Sequence, residues 1–379
     1  YKSEYKNKII SKGSVICTIK RRICKAYPFL SKTKKIGLNQ DVALIRPKAD
    51  LLPSFLAVYF NCSFGQGLAD SLKTEQMNPY ISLVNLAKLP VPLMGTTFQQ
   101  KIEDVVLGSQ KIKSQSDNKY VQAQILLLSE LGLADWQPKH RLTFVKNYSD
   151  TLRAERIDAD YFQPKYEEIV HAIKSYAGGW DRLGNLMTMK KCVEVGSKEY
   201  LNEGIPFVRV SNLSPFEITE EKYISEALYA KILHHQPEQG EILFSKDATP
   251  GIAYYLREQP RNMIPSGGIL RLKSKTDKLN NEYLTLVLNS ILTKEQVNRD
   301  VGGSVILHWR PDQVQGTVIP ILPKEKQDQI QQKVTESFNL RKQSKHLLEC
   351  AKRAVEMAIE QDEQTAIDWL EDKTNSLPH

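Results

Sequence analysis

Ile319-Pro320-Ile321-Leu322-Pro323-Lys324-Glu325-Lys326-Gln327-Asp328-Gln329-Ile330 is a Pro-bounded apolar run that hands over to a polar, helix-forming stretch. Val91-Pro92-Leu93-Met94-Gly95-Thr96-Thr97-Phe98-Gln99-Gln100-Lys101-Ile102 reads the same way 228 positions earlier. In both, proline stops an extended segment just before a helix starts. Working outward, Asn61 closes the run Phe55-Leu56-Ala57-Val58-Tyr59-Phe60, and Asn289 closes Tyr283-Leu284-Thr285-Leu286-Val287-Leu288 at the same offset. Further upstream, Gly13-Ser14-Val15-Ile16 matches Gly240-Glu241-Ile242-Leu243 at an offset of 227. A single one-residue indel accounts for the drift. Four matches in order make an internal repeat, which decides the architecture before any single element does.

Each copy reads as a β-rich region with strands such as Val42-Ala43-Leu44-Ile45 and Gly268-Ile269-Leu270-Arg271-Leu272, a short helix, a strand and a long polar helix. The long helices carry a heptad in steps of four and three. In the first it runs Ile102, Val106, Ser109, Lys113, Ser116, Tyr120, Ala123, Leu127 and Glu130. In the second it runs Ile330, Val334, Ser337, Arg341, Ser344, Leu348, Ala351, Val355 and Ala358. This is the seam of a coiled coil, and its serines and alanines let two backbones approach closely. Leu131-Gly132-Leu133-Ala134-Asp135-Trp136 and Ala366-Ile367-Asp368-Trp369 read as matching tails, with Gly132 a natural helix stop.

The expected fold class is α+β, with two β-rich recognition domains, the first incomplete, related by the repeat and separated by long helices paired as an antiparallel coiled coil. Expected bounds are 1–95 for the first domain, 96–150 for the first helix and linker, 151–322 for the second domain and 323–379 for the second helix and tail. By the repeat offset, the first copy is expected to lack about eighty residues of its N-terminal half.

A net charge of +8 over 379 residues favours a polyanionic partner, nucleic acid first. Cys17, Cys24, Cys62, Cys192 and Cys350 form no CxxC pair and no zinc spacing, and their odd number points to a reducing cytoplasm. No run approaches the roughly 18 apolar residues of a membrane helix.

Candidate DNA contacts in the first copy are Lys20, Arg21, Arg22, Lys25, Lys32, Lys34 and Lys35, interleaved with Tyr27 and Phe29. In the second they are Lys190, Lys191, Lys198, Arg209, Asn212, Lys246, Arg257, Arg261, His308 and Arg310. Lysines and arginines in such clusters commonly hold phosphates, while a few Arg, Asn or Gln read base edges. The plainer readings are a solvated loop for the first cluster, a structural role for Arg209 and Asn212, and a core position for Trp309.

Arg156-Ile157-Asp158-Ala159-Asp160-Tyr161-Phe162-Gln163-Pro164-Lys165-Tyr166, Gly204-Ile205-Pro206-Phe207-Val208-Arg209-Val210-Ser211-Asn212-Leu213, Gly240-Glu241-Ile242-Leu243-Phe244-Ser245-Lys246 and the Gln-x-x-Ile entry to each helix carry a resemblance. Across essentially the whole chain, the order of domain and helix resembles the specificity subunit of type I restriction-modification systems. That resemblance implies a subunit with no catalysis of its own, reading a split, asymmetric site in double-stranded DNA with one domain per half. It also implies docking of two methyltransferase subunits and recruitment of restriction/translocase subunits, with S-adenosylmethionine, ATP and Mg on those partners and no cofactor on this chain. The helices would set the half-site spacing: about thirty residues span roughly 45 Å, a little more than the ~34 Å of one DNA turn.

Catalytic readings are weaker. Asn78-Pro79-Tyr80 resembles part of the Asn-Pro-Pro-Tyr motif of amino-methyltransferases, but it lacks the second proline and no Gly-rich cofactor loop accompanies it. Gly302-Gly303-Ser304 is too short for a phosphate cradle. Adjacent His234 and His235 would point to opposite faces of a strand, leaving Glu238 no ligand set to join. Three alternatives to the type I reading stay open: a specificity module of a single-complex, type II-like methyltransferase-nuclease, a self-contained adenine methyltransferase, and a coiled-coil protein scaffold.

Overall fold

The computed structural model describes residues 10, 12–30, 37–74, 78–301 and 307–375. The chain forms two compact units, Tyr1–Ser116 with Asn339–His379, and Asp117–Phe338. These bounds cut across the sequential domains expected, because each unit takes a stretch of both long helices.

In the first unit, β1 (Ser14–Thr18), β2 (Ala26–Phe29) and β3 (Val42–Ile45) form an antiparallel sheet in the order β2-β1-β3. Helices α1 (Pro53–Asn61), α2 (Ser63–Leu72) and α3 (Leu83–Leu86) follow, then α4 (Thr96–Glu130). The core joins the sheet and α1 to Phe98, Ile102 and Val106, and to Ala351, Ala354, Val355 and Ala358 of the second long helix.

The second unit contains α5 (Tyr148–Ala154), α6 (Pro164–Lys174), β4 (Trp180–Arg182), α7 (Leu183–Leu186), β5 (Met187–Lys191), β6 (Ile205–Val208), β7 (Tyr223–Ile224) and α8 (Glu226–Lys231). It continues with β8 (Ile242–Ser245), β9 (Ala253–Tyr255), β10 (Ile264–Pro265), β11 (Ile269–Ser274), α9 (Asn281–Asn289), α10 (Ile291–Val301), α11 (Pro311–Gly316) and β12 (Val318–Pro320). Its main sheet has the order β5-β11-β8-β9, with smaller β10-β6-β7 and β12-β4 sheets beside it. The second long helix, α12 (Lys324–Glu360), is followed by α13 (Glu363–Asn375).

Taken separately, the two units show the repeat in every element that both contain. The pair Ile16↔Tyr27 recurs as Leu243↔Tyr254, and Ile16↔Leu44 recurs as Leu243↔Arg271. Gly13 and Gly240 both hold φ near +90° (89° and 86°), which favours glycine, and their amides donate to Phe29 and Leu256. Asn61 clasps Ala26 through both amide atoms (2.6 and 3.2 Å), as Asn289 clasps Ala253 (2.8 and 3.0 Å). Gln99 donates to Asp50 O (3.1 Å) and Met94 O (2.8 Å) and accepts from Leu52 N (2.8 Å). Gln327 does the same with Lys278 O (2.9 Å), Leu322 O (2.8 Å) and Asn280 N (2.8 Å). Each buried glutamine thus ties a helix start to a loop before the preceding helix, which explains the Gln-x-x-Ile signature.

The long helices pair antiparallel in both units. In the second, Glu130 meets Lys326 (2.7 Å) and Lys119 meets Glu336 (2.6 Å). In the first, the hydroxyls of Ser109 and Ser344 each donate to the other residue's carbonyl (2.9 and 3.0 Å), contacts that demand the close approach expected of small seam residues. Ile102, Val106, Ser109, Ser116, Ala123, Leu127, Ile330, Val334, Ser337, Ser344, Ala351 and Val355 are all buried. Leu348 departs from the expected seam: it is exposed, and Leu347 takes the inward position. After Ser344 the apolar face widens, with Cys350, Ala354 and Met357 buried as well, because the sheet side of the core and α13 both pack there.

The tails also differ from expectation. Helix α4 ends in a Schellman turn, with Leu133 N donating to Leu128 O and Gly132 N to Ser129 O, and Gly132 at φ 69°. Trp369 instead lies inside α13, whose start is capped by Asp362 accepting from Thr365 N (2.9 Å).

Candidate nucleic-acid interface

One end of each main sheet gathers most of the candidate contacts. In the first unit this is where β1 ends and β3 begins, since Thr18 pairs with Val42. The turn after β1 carries Lys20, Arg21, Arg22 and Lys25, and Lys20 forms an isolated bridge with Tyr80. Lys20 pairs with Asp41 at 3.2 Å. Arg21 sits at φ 64°, a costly conformation for a residue with a Cβ, and its amide donates to Pro79 O. Loss of solvent, then repulsion from Lys352 and Arg22, push the Lys25 ammonium below its ordinary range. Lys352 and Arg22 beside Lys25 add positive charge there, partly offset by Asp70 and Glu349. Tyr27, on β2 beside this turn, is exposed, whereas Phe29 is buried. Lys32, Lys34 and Lys35 lie outside the described residues.

The same end of the second unit is built alike. Asp247 bridges His308 as Lys20 bridges Tyr80, and Ala248 (φ 58°) donates to Leu307 O as Arg21 does to Pro79 O. Pro79 and Tyr80 are therefore placed in the first unit as Leu307 and His308 are in the second. Around the bridge, His308 Nδ1 lies 2.9 Å from Asp247, Lys246 contacts Asp247, and Arg310 pairs with Asp312 at 3.2 Å. Exposed Lys190 and Lys191 join them, because Lys191 pairs with Leu270 at the start of β11. Trp309 is core: its indole N–H donates to Asp300 (2.9 Å) and its ring meets Phe244 edge-on.

The other candidates lie elsewhere or are held within the fold. Arg209 donates to Glu221 (2.8 Å) and to buried Asn212 (3.4 Å), whose amide turns to Thr219. This turn abuts the interface end, since a Cβ on Gly268 would lie 2.9 Å from Val210. Arg257 lies past the opposite end of β9, bound to Glu282 (2.5 Å) and stacked on Phe338. Arg261 pairs with Glu220, and Lys198 is exposed on a 3-10 turn, Ser197–Glu199. His234 and His235 occupy a 3-10 turn rather than a strand, their rings 4.1 Å apart. Among the described residues, no group of three His, Cys, Asp or Glu is placed to hold a metal ion.

Asp247 is a member of this end that the sequence reading does not single out, and Tyr80 enters that reading only as part of Asn78-Pro79-Tyr80. The signal was present, because the same offsets that define the repeat carry Lys20 onto Asp247 and Tyr80 onto His308.

Residues 179–349 match the family model described as the type I restriction modification DNA specificity domain. The matched segment is just under half of the chain. The match takes in Lys190, Lys191, Lys246, His308 and Arg310 of the second unit. Through the repeat, β1, β2, β3, α1, α2 and α3 of the first unit correspond to β8, β9, β11, α9, α10 and α11 of the second. No curated protein matches the chain. Among solved structures the chain is similar to the type I restriction-modification S subunit from M. genitalium, at 13% identity and TM-score 0.38, covering 96% of this chain and 84% of that one. It is also similar to the HsdS subunit from Thermoanaerobacter tengcongensis, at 16% identity and TM-score 0.32, covering 93% and 82%. No helix among the described residues is long and apolar enough to cross a membrane.

Proposed function

We propose that this chain is the DNA-reading subunit of a type I restriction-modification complex. It recognises a split, asymmetric site in double-stranded DNA, one half per unit, and directs two methyltransferase subunits and restriction/translocase subunits to it. S-adenosylmethionine, ATP and Mg belong to those partners, and the bond-making chemistry is theirs. The observation that carries this reading is the shared sheet end. One backbone frame recurs in both units while the side chains on it differ: Lys20, Arg21, Arg22 and Lys25 in one, Lys191, Lys246, His308 and Arg310 in the other. An identical frame with different charges and donors suits two half-sites of different sequence.

The test is a fluorescence-anisotropy titration of the purified chain with duplex DNA, alone and with its methyltransferase subunits. For six to ten phosphate contacts, affinity should drop by about 10³ to 10⁵ between 50 and 200 mM salt. Binding indifferent to salt contradicts the proposal.

A further inference from the structure

Cys17 and Cys24 stand in the first unit on either side of the turn that carries Lys20, Arg21 and Arg22. Cys17 pairs with Ala26 in the β1–β2 register, and the Cys24 amide donates to Thr18 O (2.8 Å), so the turn folds one cysteine back toward the other. Both are fully buried in the core of this unit, and their thiols share a hydrogen bond. Lys25, next to Cys24, is exposed, so the pair lies just beneath the surface.

The repeat shows what stands at these places in the second unit. Phe244 pairs with Ala253 as Cys17 pairs with Ala26, and Gly251 N donates to Ser245 O (2.9 Å) as Cys24 N does to Thr18 O. Gly251 holds φ 93°, and a Cβ there would lie 3.2 Å from Val297. Cys24 keeps the left-handed conformation at φ 55°, which strains a residue with a Cβ, and Ala69 occupies the place of Val297. Where the second unit has a phenylalanine, a glycine and a valine, the first has two cysteines and an alanine. Core filling asks for neither cysteine: Cys17 is smaller than Phe244, and Cys24 puts a side chain on backbone that favours glycine.

The two thiols are also unequal. The hydrogen bond from Cys17, opposed by burial and Asp70 and helped by Lys25, holds the Cys24 thiol below its ordinary range. The same bond, with burial, pushes the Cys17 thiol up. Thiolate is the reactive form, so Cys24 is the attacking sulfur and Cys17 the resolving one.

We infer that Cys17 and Cys24 are a modification site, a dithiol that a hydroperoxide closes to a disulfide beneath the interface turn. The Cys24 thiolate attacks the peroxide: an S–O bond forms, the O–O bond breaks, and the leaving oxygen takes up the proton that the thiol released. Cys17 then attacks the sulfenic sulfur, the S–S bond forms, and the departing hydroxide takes the Cys17 proton. The sulfurs lose two electrons and two protons, and one hydrogen peroxide becomes two waters. Oxidation thereby ties the end of β1 to the residues before β2, across Lys20, Arg21 and Arg22.

The test treats the folded full chain with hydrogen peroxide, blocks the remaining thiols and reads each cysteine by peptide mass spectrometry. A Cys17–Cys24 disulfide should accumulate at least about tenfold faster than any oxidation of Cys62, which is nearly as buried but whose thiol burial pushes up. Dithiothreitol should reverse it, and amide exchange across residues 18–25 should slow in the oxidised form. Cys17→Ser should stop at a Cys24 sulfenic acid that dimedone traps. Cys24→Gly, which carries the second unit's residue, should keep Cys17 reduced without altering the far-UV circular dichroism. Oxidation of the pair no faster than Cys62 would show two cysteines that only fill the core, and would overturn the inference. So would dimedone labelling of Cys17 in Cys24→Gly as fast as the wild type oxidises, or a disulfide that forms only in denaturant.

Discussion

At the scale of single residues, the repeat supplies its own control experiments. Gln327 satisfies two carbonyls and one amide in a buried corner. Gln327→Ala should cost about 3 kcal/mol in denaturant unfolding of the second unit, since each orphaned buried group costs ~1–3 kcal/mol; a loss below about 0.5 kcal/mol would mean that water replaces the side chain. Buried Arg271 and Glu241 form a two-point ion pair (2.7 and 2.9 Å), whereas the first unit has Leu44 and Ser14 at those places. Glu241→Ser alone should therefore destabilise by about 3–5 kcal/mol, while Glu241→Ser with Arg271→Leu should recover most of that loss.

Burial pushes the Asp300 carboxyl up, against the pull of Trp309, Arg299 and Arg156. Its contribution is fully present below the ordinary carboxylate pKa and is lost as pH rises through the raised value. Thermal unfolding from pH 4 to 8 should show Asp300→Asn gaining on the wild type as pH rises; a constant difference would contradict the burial argument.

At the scale of elements, the long helices and their entry signals were legible because Gln, Ile, Ser and Ala sit at seam positions whose roles are local. The departure at Leu348 was not legible, because which face of a helix is inward depends on everything packed around it. A heptad describes two helices alone; beyond Ser344, α12 also meets α13 and the sheet side of the core. Leu347→Ala should cost about 2 kcal/mol or more, and Leu348→Ala less than about 0.5 kcal/mol. Equal losses in denaturant unfolding would show that the exposed leucine is shielded in solution. Ser344→Leu, which inserts bulk where each hydroxyl touches the opposite backbone, should cost about 1–3 kcal/mol more than Ser344→Ala. If these helices set the half-site spacing, inserting four residues between Lys113 and Ala123 changes the preferred spacer and leaves both half-sequences intact; a spacer indifferent to the insertion would refute that role.

At the scale of the whole chain, the ordered set of repeat matches predicted two β-rich copies with a common frame, while the β2-β1-β3 and β9-β8-β11 orders emerged only from the structure. The interface end was only half legible. Charge clusters showed in the sequence, but Lys246, His308 and Lys191 are distant in sequence and meet only through sheet register and a bridge. Conversely, Arg257 looks available in sequence and is spent on Glu282 and Phe338 once folded. Composition cannot distinguish an arginine that waits for phosphate from one that holds a helix.

In the proposed function, the shared sheet end of each unit reads its own half-site. The direct measurement is selection of bound duplexes from a randomised library by the wild-type chain with its methyltransferase subunits, repeated with Arg21→Ala/Arg22→Ala and with His308→Ala/Arg310→Ala. Two unrelated half-sequences at a fixed spacing are expected, with the first double variant relaxing one half and the second relaxing the other. Variants that weaken both halves alike, or that leave the selected sequence unchanged, would contradict it.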